Sequence, residues 1–133
     1  MNPFKILIVE DDFVLAGMYK ERLQNEGYKI FTADNGEDAL DEALAVKPDV
    51  VLLDLMLPKK GGLGVLQIIR SRPETSNTAV IILTNHPDPR YKEAAERYGI
   101  EDFIFKAQVM PKDVIAKINQ TIDKIVEKRR SGQ

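Results

Sequence analysis

Short apolar runs alternate along this chain with longer segments whose apolar residues have helical spacing, and this alternation limits the folds that the chain can adopt. Short runs that are apolar at almost every position are typical of strands in a parallel sheet whose two faces are both covered. Five such runs occur, the second weaker than the others: Phe4–Val9, Tyr28–Ala33, Val50–Leu53, Ala79–Leu83 and Phe103–Phe105. Each run is therefore predicted to form a strand.

The first three connecting segments carry apolar stripes and residues that begin or end helices. Gly27 suits the position just beyond the end of a first helix. Asn35 can cap a second helix that Pro48 ends, and a third helix has to stop before Pro73. The stripes of these helices are Leu15, Met18, Tyr19 and Leu23, then Leu40, Ala43 and Leu44, then Leu63, Leu66 and Ile69.

The last two connecting segments predict two further helices. Asp88 and Pro89 are typical of the N-cap and the first residue of a helix, which here runs to Gly99. Another helix begins near Pro111, and its apolar face consists of Val114, Ile115, Ile118, Ile122 and Ile125. Strand–helix units in alternation predict an α/β fold, in which a doubly wound parallel sheet of five strands is flanked by five helices.

Length and hydropathy restrict how the chain is organised. A chain of 133 residues suits one domain, predicted over 1–133 with a core at about 3–128 and a polar tail at 129–133. We expect no output domain after the fifth helix. The N-terminal apolar run is too short for a signal peptide, and no segment approaches the roughly 20 apolar residues of a membrane span. A cytoplasmic protein without membrane contact is therefore expected.

Charge and residue usage exclude several classes of function. A net charge of −2 argues against a dedicated nucleic-acid binder, which usually has a strong basic excess. The absence of cysteine excludes disulfides, thiolate catalysis and cysteine-based zinc sites. The single histidine, His86, offers too few nitrogen ligands for most catalytic zinc sites.

Polar side chains follow four of the predicted strands at the point where each strand ends. In open α/β sheets, ligands bind outside the carboxyl ends of the strands, so these side chains are expected to face one crevice. They are Glu10, Asp11 and Asp12 after strand 1, Asp54 after strand 3, Thr84 with Asn85 after strand 4, and Lys106 after strand 5.

Grouped carboxylates repel one another, and a divalent cation relieves that repulsion. Mg²⁺ prefers oxygen ligands and is usually held by one or two carboxylates, water and a phosphate. We expect Asp11 and Asp54 to bind it directly, Glu10 to act through water, and the backbone carbonyl of Met56 to complete the set. Asp12 on its own is better explained as the N-cap of the first helix.

This donor set also suits phosphoryl transfer to a carboxylate. Asp54 is the best candidate nucleophile, because carboxylates form acyl phosphates and metal coordination orients them. Lys106 offers positive charge to the oxygens of the transferring group, and Thr84 offers a hydroxyl donor to the product.

These residues lie in motifs that resemble the receiver domains of response regulators over essentially the whole chain. The matching segments are Ile6–Asp12, Val51–Pro58 with Gly62, Ile82–Thr84 and Asp102–Lys106. The resemblance implies a flavodoxin-like sheet with strand order 2-1-3-4-5. It also implies that Asp54 accepts phosphate from a histidine kinase or a histidine phosphotransfer protein, in a two-component phosphorelay.

Further expectations follow from the same resemblance. After phosphorylation, Thr84 moves toward the phosphate and Phe103 changes rotamer. The face formed by helix 4, strand 5 and helix 5 then changes and binds a downstream protein, which the sequence does not identify. The chain is expected to be a monomer or weak dimer, and to catalyse only its own phosphorylation and dephosphorylation.

Three positions depart from the pattern of this family. Ala107 replaces the usual proline after Lys106, and we expect a trans peptide bond there because a cis bond before alanine costs roughly 2.5–4 kcal/mol. Asn85 is larger than the residue often found beside the conserved threonine and is predicted to narrow access to the acceptor. Met56 and His86 flank the site. We expect slow self-dephosphorylation, because the thioether of Met56 cannot orient an attacking water.

Alternative functions remain open at this point. A receiver-like module that binds proteins without being phosphorylated would keep the same fold. A magnesium phosphatase of the haloacid-dehalogenase type would need a second carboxylate where Met56 stands. A flavodoxin-like electron carrier would need a phosphate-binding loop after strand 1, where this chain has acidic residues.

Overall fold

All five predicted apolar runs form strands in the computed structural model, which describes residues 3–132. The strands are β1 (Lys5–Val9), β2 (Lys29–Ala33), β3 (Val50–Leu53), β4 (Ala79–Thr84) and β5 (Asp102–Phe105). They form one parallel sheet with the order β2-β1-β3-β4-β5, as the family resemblance implied. The runs are apolar at almost every position because helices cover both faces of the sheet.

The connecting segments form the helices that the stripes and boundary residues predicted. They are α1 (Phe13–Asn25), α2 (Gly36–Val46), α3 (Gly62–Ser71), α4 (Pro89–Tyr98) and α5 (Pro111–Arg130). A short 3₁₀ helix, Lys106–Gln108, lies between β5 and α5 and was not predicted. Within residues 3–132, no helix is both long and apolar enough to cross a membrane.

The core lies in two layers, one on each face of the sheet. Leu7 and Val9 of β1 belong to the layer under α2, α3 and α4, whereas Ile6 and Ile8 of the same strand belong to the layer under α1 and α5. Successive side chains of a strand point to opposite faces, so one short strand contributes to both layers. This packing fixes the sheet between rigid helices and leaves its carboxyl edge to carry loops.

Side-chain caps confirm several predicted helix ends. Asp12 Oδ1 accepts from the backbone N–H of Leu15 at 3.0 Å, so Asp12 caps α1 as expected. Asn35 caps α2 by accepting from the N–H of Asp38 at 3.0 Å. Gly27 has a φ of +96°, the left-handed conformation expected beyond a helix end.

The end of α5 differs from the prediction. The helix continues through Arg130, so part of the predicted polar tail is helical. Arg129 Nη2 forms an ion pair with Asp49 Oδ1 at 3.0 Å, and its guanidinium lies over the ring of Phe4. These contacts hold the last turn of α5 against the edge of the sheet at which the strands begin. The basic residues at the end of the sequence do not by themselves predict these contacts.

Candidate functional site

The register of the strands brings the predicted site residues to one edge. Val9 pairs with Leu53, and Thr84 pairs with Phe105, so the neighbouring strands end at nearly the same level. The residues that follow β1, β3 and β5 are therefore close neighbours, although they are far apart in the chain. They are Glu10, Asp54 and Lys106.

Both carboxylate oxygens of Asp54 have polar partners. Oδ2 accepts from the Lys106 ammonium, with Nζ at 2.7 Å. Oδ1 accepts from the Thr84 hydroxyl at 2.7 Å and from the Met56 backbone N–H at 3.0 Å. Asp54 is 5% exposed and Thr84 is fully buried, so these bonds lie in a part of the site that is largely shielded from water. The carboxylate is held in a fixed orientation at the end of β3.

Lys106 joins a second carboxylate to the site. Its Nζ also forms an ion pair with Glu10 Oε1, and Glu10 Oε2 accepts from the Asp12 backbone N–H at 3.0 Å. Burial raises the pKa of the Glu10 carboxyl above its usual value, against the lowering effect of the Lys106 hydrogen bond. Burial opposes the charge on Lys106, but hydrogen bonds to Asp54 and Glu10 raise its pKa overall, so it remains a cation.

Three carboxylates form a cluster that suits a divalent cation. Glu10, Asp11 and Asp54 each offer an oxygen, and these oxygens all lie within 4.8 Å of one another. Glu10 and Asp54 are buried, whereas Asp11 is exposed and leaves the cluster open to solvent. An all-oxygen donor set with an open side fits Mg²⁺, which keeps several waters when it binds. The residues predicted to hold the metal through carboxylates are therefore together.

The residue after Lys106 follows the prediction for its backbone. The Lys106–Ala107 peptide bond is trans, and Lys106 still reaches Asp54. The Ala107 backbone N–H donates to Oδ1 of Asn85 at 3.0 Å, a contact that the sequence did not reveal. Asn85 itself is exposed.

His86 lies in the β4–α4 loop and contacts α4. Its ring packs on the ring of Tyr91 with centroids 3.8 Å apart, and its Nδ1 accepts from the Asp88 N–H at 3.3 Å. The His86 backbone N–H donates to Thr84 Oγ1 at 3.3 Å. Met56, two residues after Asp54, is 53% exposed, and its backbone N–H donates to Asp54 Oδ1 at 3.0 Å.

Phe103 lies inside the molecule on β5. It is 9% exposed and packs edge-on against Phe105, with ring centroids 5.4 Å apart. Thr84 on the adjacent strand is buried and bonded to Asp54, so the two predicted switch residues occupy neighbouring strands in one packed region.

Sequence reasoning assigned Tyr19 only to the apolar stripe of α1. In the structure it is buried beside Glu10 and Asp54, where its ring helps to close the floor of the site. Burial is the main reason why the pKa of its phenol is raised. Tyr19 lies two helical turns after the N-cap Asp12, which directly follows Glu10 and Asp11, and this spacing is the signal that places Tyr19 on the side of α1 that faces the site.

Comparison with known proteins agrees with this geometry. Residues 6–119 match the model of the response regulator receiver domain family. The chain is 40% identical over 102 residues to the response regulator ArlR of Staphylococcus aureus, covering 77% of this chain and 45% of that protein. It is 36% identical over 103 residues to the sensory transduction protein BceR of Halalkalibacterium halodurans, covering 77% of this chain and 43% of that protein.

The chain thus spans less than half the length of these curated relatives. Among solved structures, the signal receiver domain of a LuxO repressor protein from Vibrio parahaemolyticus superposes with a TM-score of 0.87 at 28% identity, covering 100% of this chain and 99% of that one. Family, fold and site geometry agree, and the chain belongs to the response regulator receiver domain family.

Proposed function

We propose that the chain accepts a phosphoryl group on Asp54 from a phosphohistidine of a histidine kinase or a histidine phosphotransfer protein. The observation that carries the proposal is the Asp54 carboxylate, which contacts the Lys106 ammonium and the Thr84 hydroxyl beside a cluster of further carboxylates. These groups supply a nucleophile, a cation for developing negative charge and a donor for the product.

The transfer exchanges one bond to phosphorus for another. A carboxylate oxygen of Asp54 attacks the phosphorus, the bond between phosphorus and the donor imidazole breaks, and the imidazole leaves with the electron pair and is protonated. Lys106 moves from pairing with Asp54 to pairing with the oxygens of the transferring group, and Thr84 donates to one of them.

Asp11 and Asp54 would hold Mg²⁺ directly and Glu10 would act through water, and the backbone carbonyl of Met56 is the further ligand that we propose. When bound, the ion neutralises carboxylate charge and offsets the charge of the phosphoryl oxygens. Asp11 is exposed and provides the side from which the ion enters.

The proposed output is a change in the face formed by α4, β5 and α5. The Thr84 hydroxyl now bonded to Asp54 would bond to the phosphoryl group, and Phe103 would change rotamer in response to the altered packing. Phosphorylation adds about −1.5 to −2 charges at neutral pH, enough to bias such a two-state element. We propose that a downstream protein in the cytoplasm recognises this face. Asn85, His86 and Met56 are proposed to tune the lifetime of the phosphate.

Incubation with Mg²⁺ and acetyl phosphate, followed by intact-mass measurement, tests the proposal. The wild-type protein should gain the mass of one phosphoryl group, and Asp54→Asn should not. Asp41→Asn is the matched control, because it makes the same change of side chain at an exposed aspartate near Glu10 and Asp11 but leaves the buried Asp54 in place. A folded wild-type protein that gains no mass would instead indicate a receiver-like module that binds partners without phosphorylation. An equal gain in Asp54→Asn would exclude Asp54 as the acceptor.

A further inference from the structure

A hydrogen bond that has no part in the proposed phosphoryl transfer joins two loops of the site. The Ala107 backbone N–H donates to Oδ1 of Asn85 at 3.0 Å, across 22 positions of the chain. Asn85 directly follows Thr84, and Ala107 directly follows Lys106. The bond therefore connects the segments that carry the hydroxyl and the ammonium facing Asp54.

The N–H of Ala107 needs a partner from outside its own helix. Ala107 is the second residue of the 3₁₀ helix Lys106–Gln108, and N–H groups in a first helical turn have no intrahelical acceptor. The residue before this helix, Phe105, provides no side-chain cap. Asn85 supplies the missing acceptor from the neighbouring loop.

Contacts of His86 hold the β4–α4 loop in place, so the backbone of Asn85 is restrained. On one side, the His86 N–H donates to Thr84 Oγ1 at 3.3 Å. On the other, the His86 ring packs on Tyr91 of α4, and its Nδ1 accepts from the Asp88 N–H at 3.3 Å. An acceptor on a constrained loop can restrain the segment to which it bonds.

We propose that Asn85 is a positioning residue, which holds the start of the 3₁₀ helix through Ala107 and thereby keeps Lys106 Nζ at 2.7 Å from Asp54 Oδ2. The inference rests on the proposed phosphoacceptor function and names a residue on which its rate depends. The hydrogen bonds of Asp54 and Glu10 in the described structure come from Thr84, Met56, Lys106 and Asp12, and that of the Asn85 side chain comes from Ala107, so this role acts through the loop that carries Lys106.

Phosphorylation kinetics with acetyl phosphate and Mg²⁺ test this role. Asn85→Ala should slow phosphorylation roughly two- to tenfold, the range expected for loss of one hydrogen bond. The Mg²⁺ concentration for half-maximal rate should stay unchanged, because Glu10, Asp11 and Asp54 keep their places. A general loss of structure would instead weaken both the rate and the response to Mg²⁺.

A double-mutant cycle identifies the donor. Ala107→Pro removes the N–H, and Ala107→Gly keeps it. Adding Asn85→Ala should slow the Ala107→Gly protein as much as the wild type, but should have no further effect on the Ala107→Pro protein. Proline also restricts Lys106, but that effect is present in both members of its pair and cancels in the comparison.

Amide hydrogen exchange of Ala107, followed by NMR without any phosphoryl donor, separates the two proposals. Asn85→Ala should accelerate exchange of this N–H while the amides of β4 stay protected. The positioning role is overturned by unchanged exchange, by unchanged phosphorylation kinetics, or by equal slowing in the proline and glycine backgrounds. Failure of the wild-type protein to gain phosphate would overturn the phosphoacceptor proposal and, with it, the positioning role of Asn85. Faster exchange of the Ala107 amide in Asn85→Ala would in that case still confirm the hydrogen bond.

Discussion

Charge balance at single residues favours a bound metal ion beside Lys106. Lys106 pairs with Asp54 and Glu10 at the same time, whereas Asp11 of the same cluster forms no ion pair with a lysine among residues 3–132. A phosphoryl group would add about −1.5 to −2 further charges at neutral pH. One ammonium cannot balance this sum, so a bound divalent ion is the expected complement of the three carboxylates.

Met56 gives a prediction about the lifetime of the phosphate. Its side chain is 53% exposed beside Asp54, and a thioether cannot donate to or strongly accept from an attacking water. Met56→Asn should therefore hasten loss of the phosphoryl group several-fold, because a carboxamide can orient that water. Decay of the phosphorylated mass after removal of the donor measures the rate.

A matched apolar variant is the control for this prediction. Met56→Leu keeps the volume and the exposed apolar character of the position, so its decay rate should equal that of the wild type. Equal decay in Met56→Asn and the wild type would show that this position does not control access of water to the phosphate.

Gly62 gives a prediction about packing behind Asp54. A Cβ on Gly62 would overlap the backbone carbonyl oxygen of Asp54 and the Cα of Leu55, neither of which can rotate away. Gly62→Ala should lower the free energy of unfolding by roughly 1–3 kcal/mol and displace Asp54. Its neighbour is the control: a Cβ on Gly61 meets nothing within 4 Å, so Gly61→Ala should unfold in urea like the wild type. Equal midpoints for both variants would contradict the close approach.

At the residue level, the sequence predicted the groups that directly follow strands. Asp54 and Lys106 could be placed together because parallel strands end at the same edge. The hydrogen bond between Asn85 and Ala107 could not be predicted, since it depends on the conformations of two loops that are adjacent only in the fold.

At the level of elements, helix starts were easier to predict than helix ends. Asp12, Asn35 and Asp88 are capping residues, and each accepts the expected backbone N–H within its own helix start. The end of α2 depends on Lys47, which adopts the left-handed conformation with a φ of +50° before Pro48. Lysine carries no local signal for that conformation, so only the following proline indicated the boundary.

Arg70 shows how one side chain can join two such elements. At the end of α3, its guanidinium donates to the carbonyls of Ser76 and Thr78 before β4, and to those of Tyr98 and Gly99 at the end of α4. Burial lowers the pKa of the guanidinium, although Glu101 opposes this effect. The planar fork with its several N–H groups satisfies carbonyls that no helix or strand uses.

We predict that Arg70→Met lowers the free energy of unfolding by roughly 1–3 kcal/mol, because it removes charged hydrogen bonds to four carbonyls. Arg70→Lys should recover only part of the loss, since an ammonium cannot reach both loops as a fork does. Urea denaturation measures both variants. Arg72→Met is the control, because Arg72 is exposed just beyond the same helix. A loss as large in Arg72→Met would show that the effect is not specific to the contacts of Arg70.

At the level of the whole molecule, the sequence predicted the class of fold but not the strand order. Continuous apolar runs that alternate with helices predict a parallel sheet with helices on both faces. This pattern is the same for every order of the strands, so it does not identify the middle strand. The order came from the family resemblance and is confirmed here: β3 lies in the middle between β1 and β4, and α1 and α5 cover one face of the sheet. This order is what places the ends of β1 and β3 side by side.

Because only the folded molecule brings Glu10, Asp11 and Asp54 together, metal binding should be linked to stability. Mg²⁺ at ten times its Kd should raise the free energy of unfolding by about 1.4 kcal/mol. Asp11→Asn should reduce this gain, and without Mg²⁺ it should make the protein more stable than the wild type, since one like charge leaves the cluster. Thermal unfolding with and without Mg²⁺ measures both effects.

Asp41→Asn is the control, because it removes an exposed acid outside the cluster and should keep the full gain in stability from Mg²⁺. An equal gain in the two variants would mean that Mg²⁺ acts by general screening, and the carboxylate cluster would lose its role as the metal site.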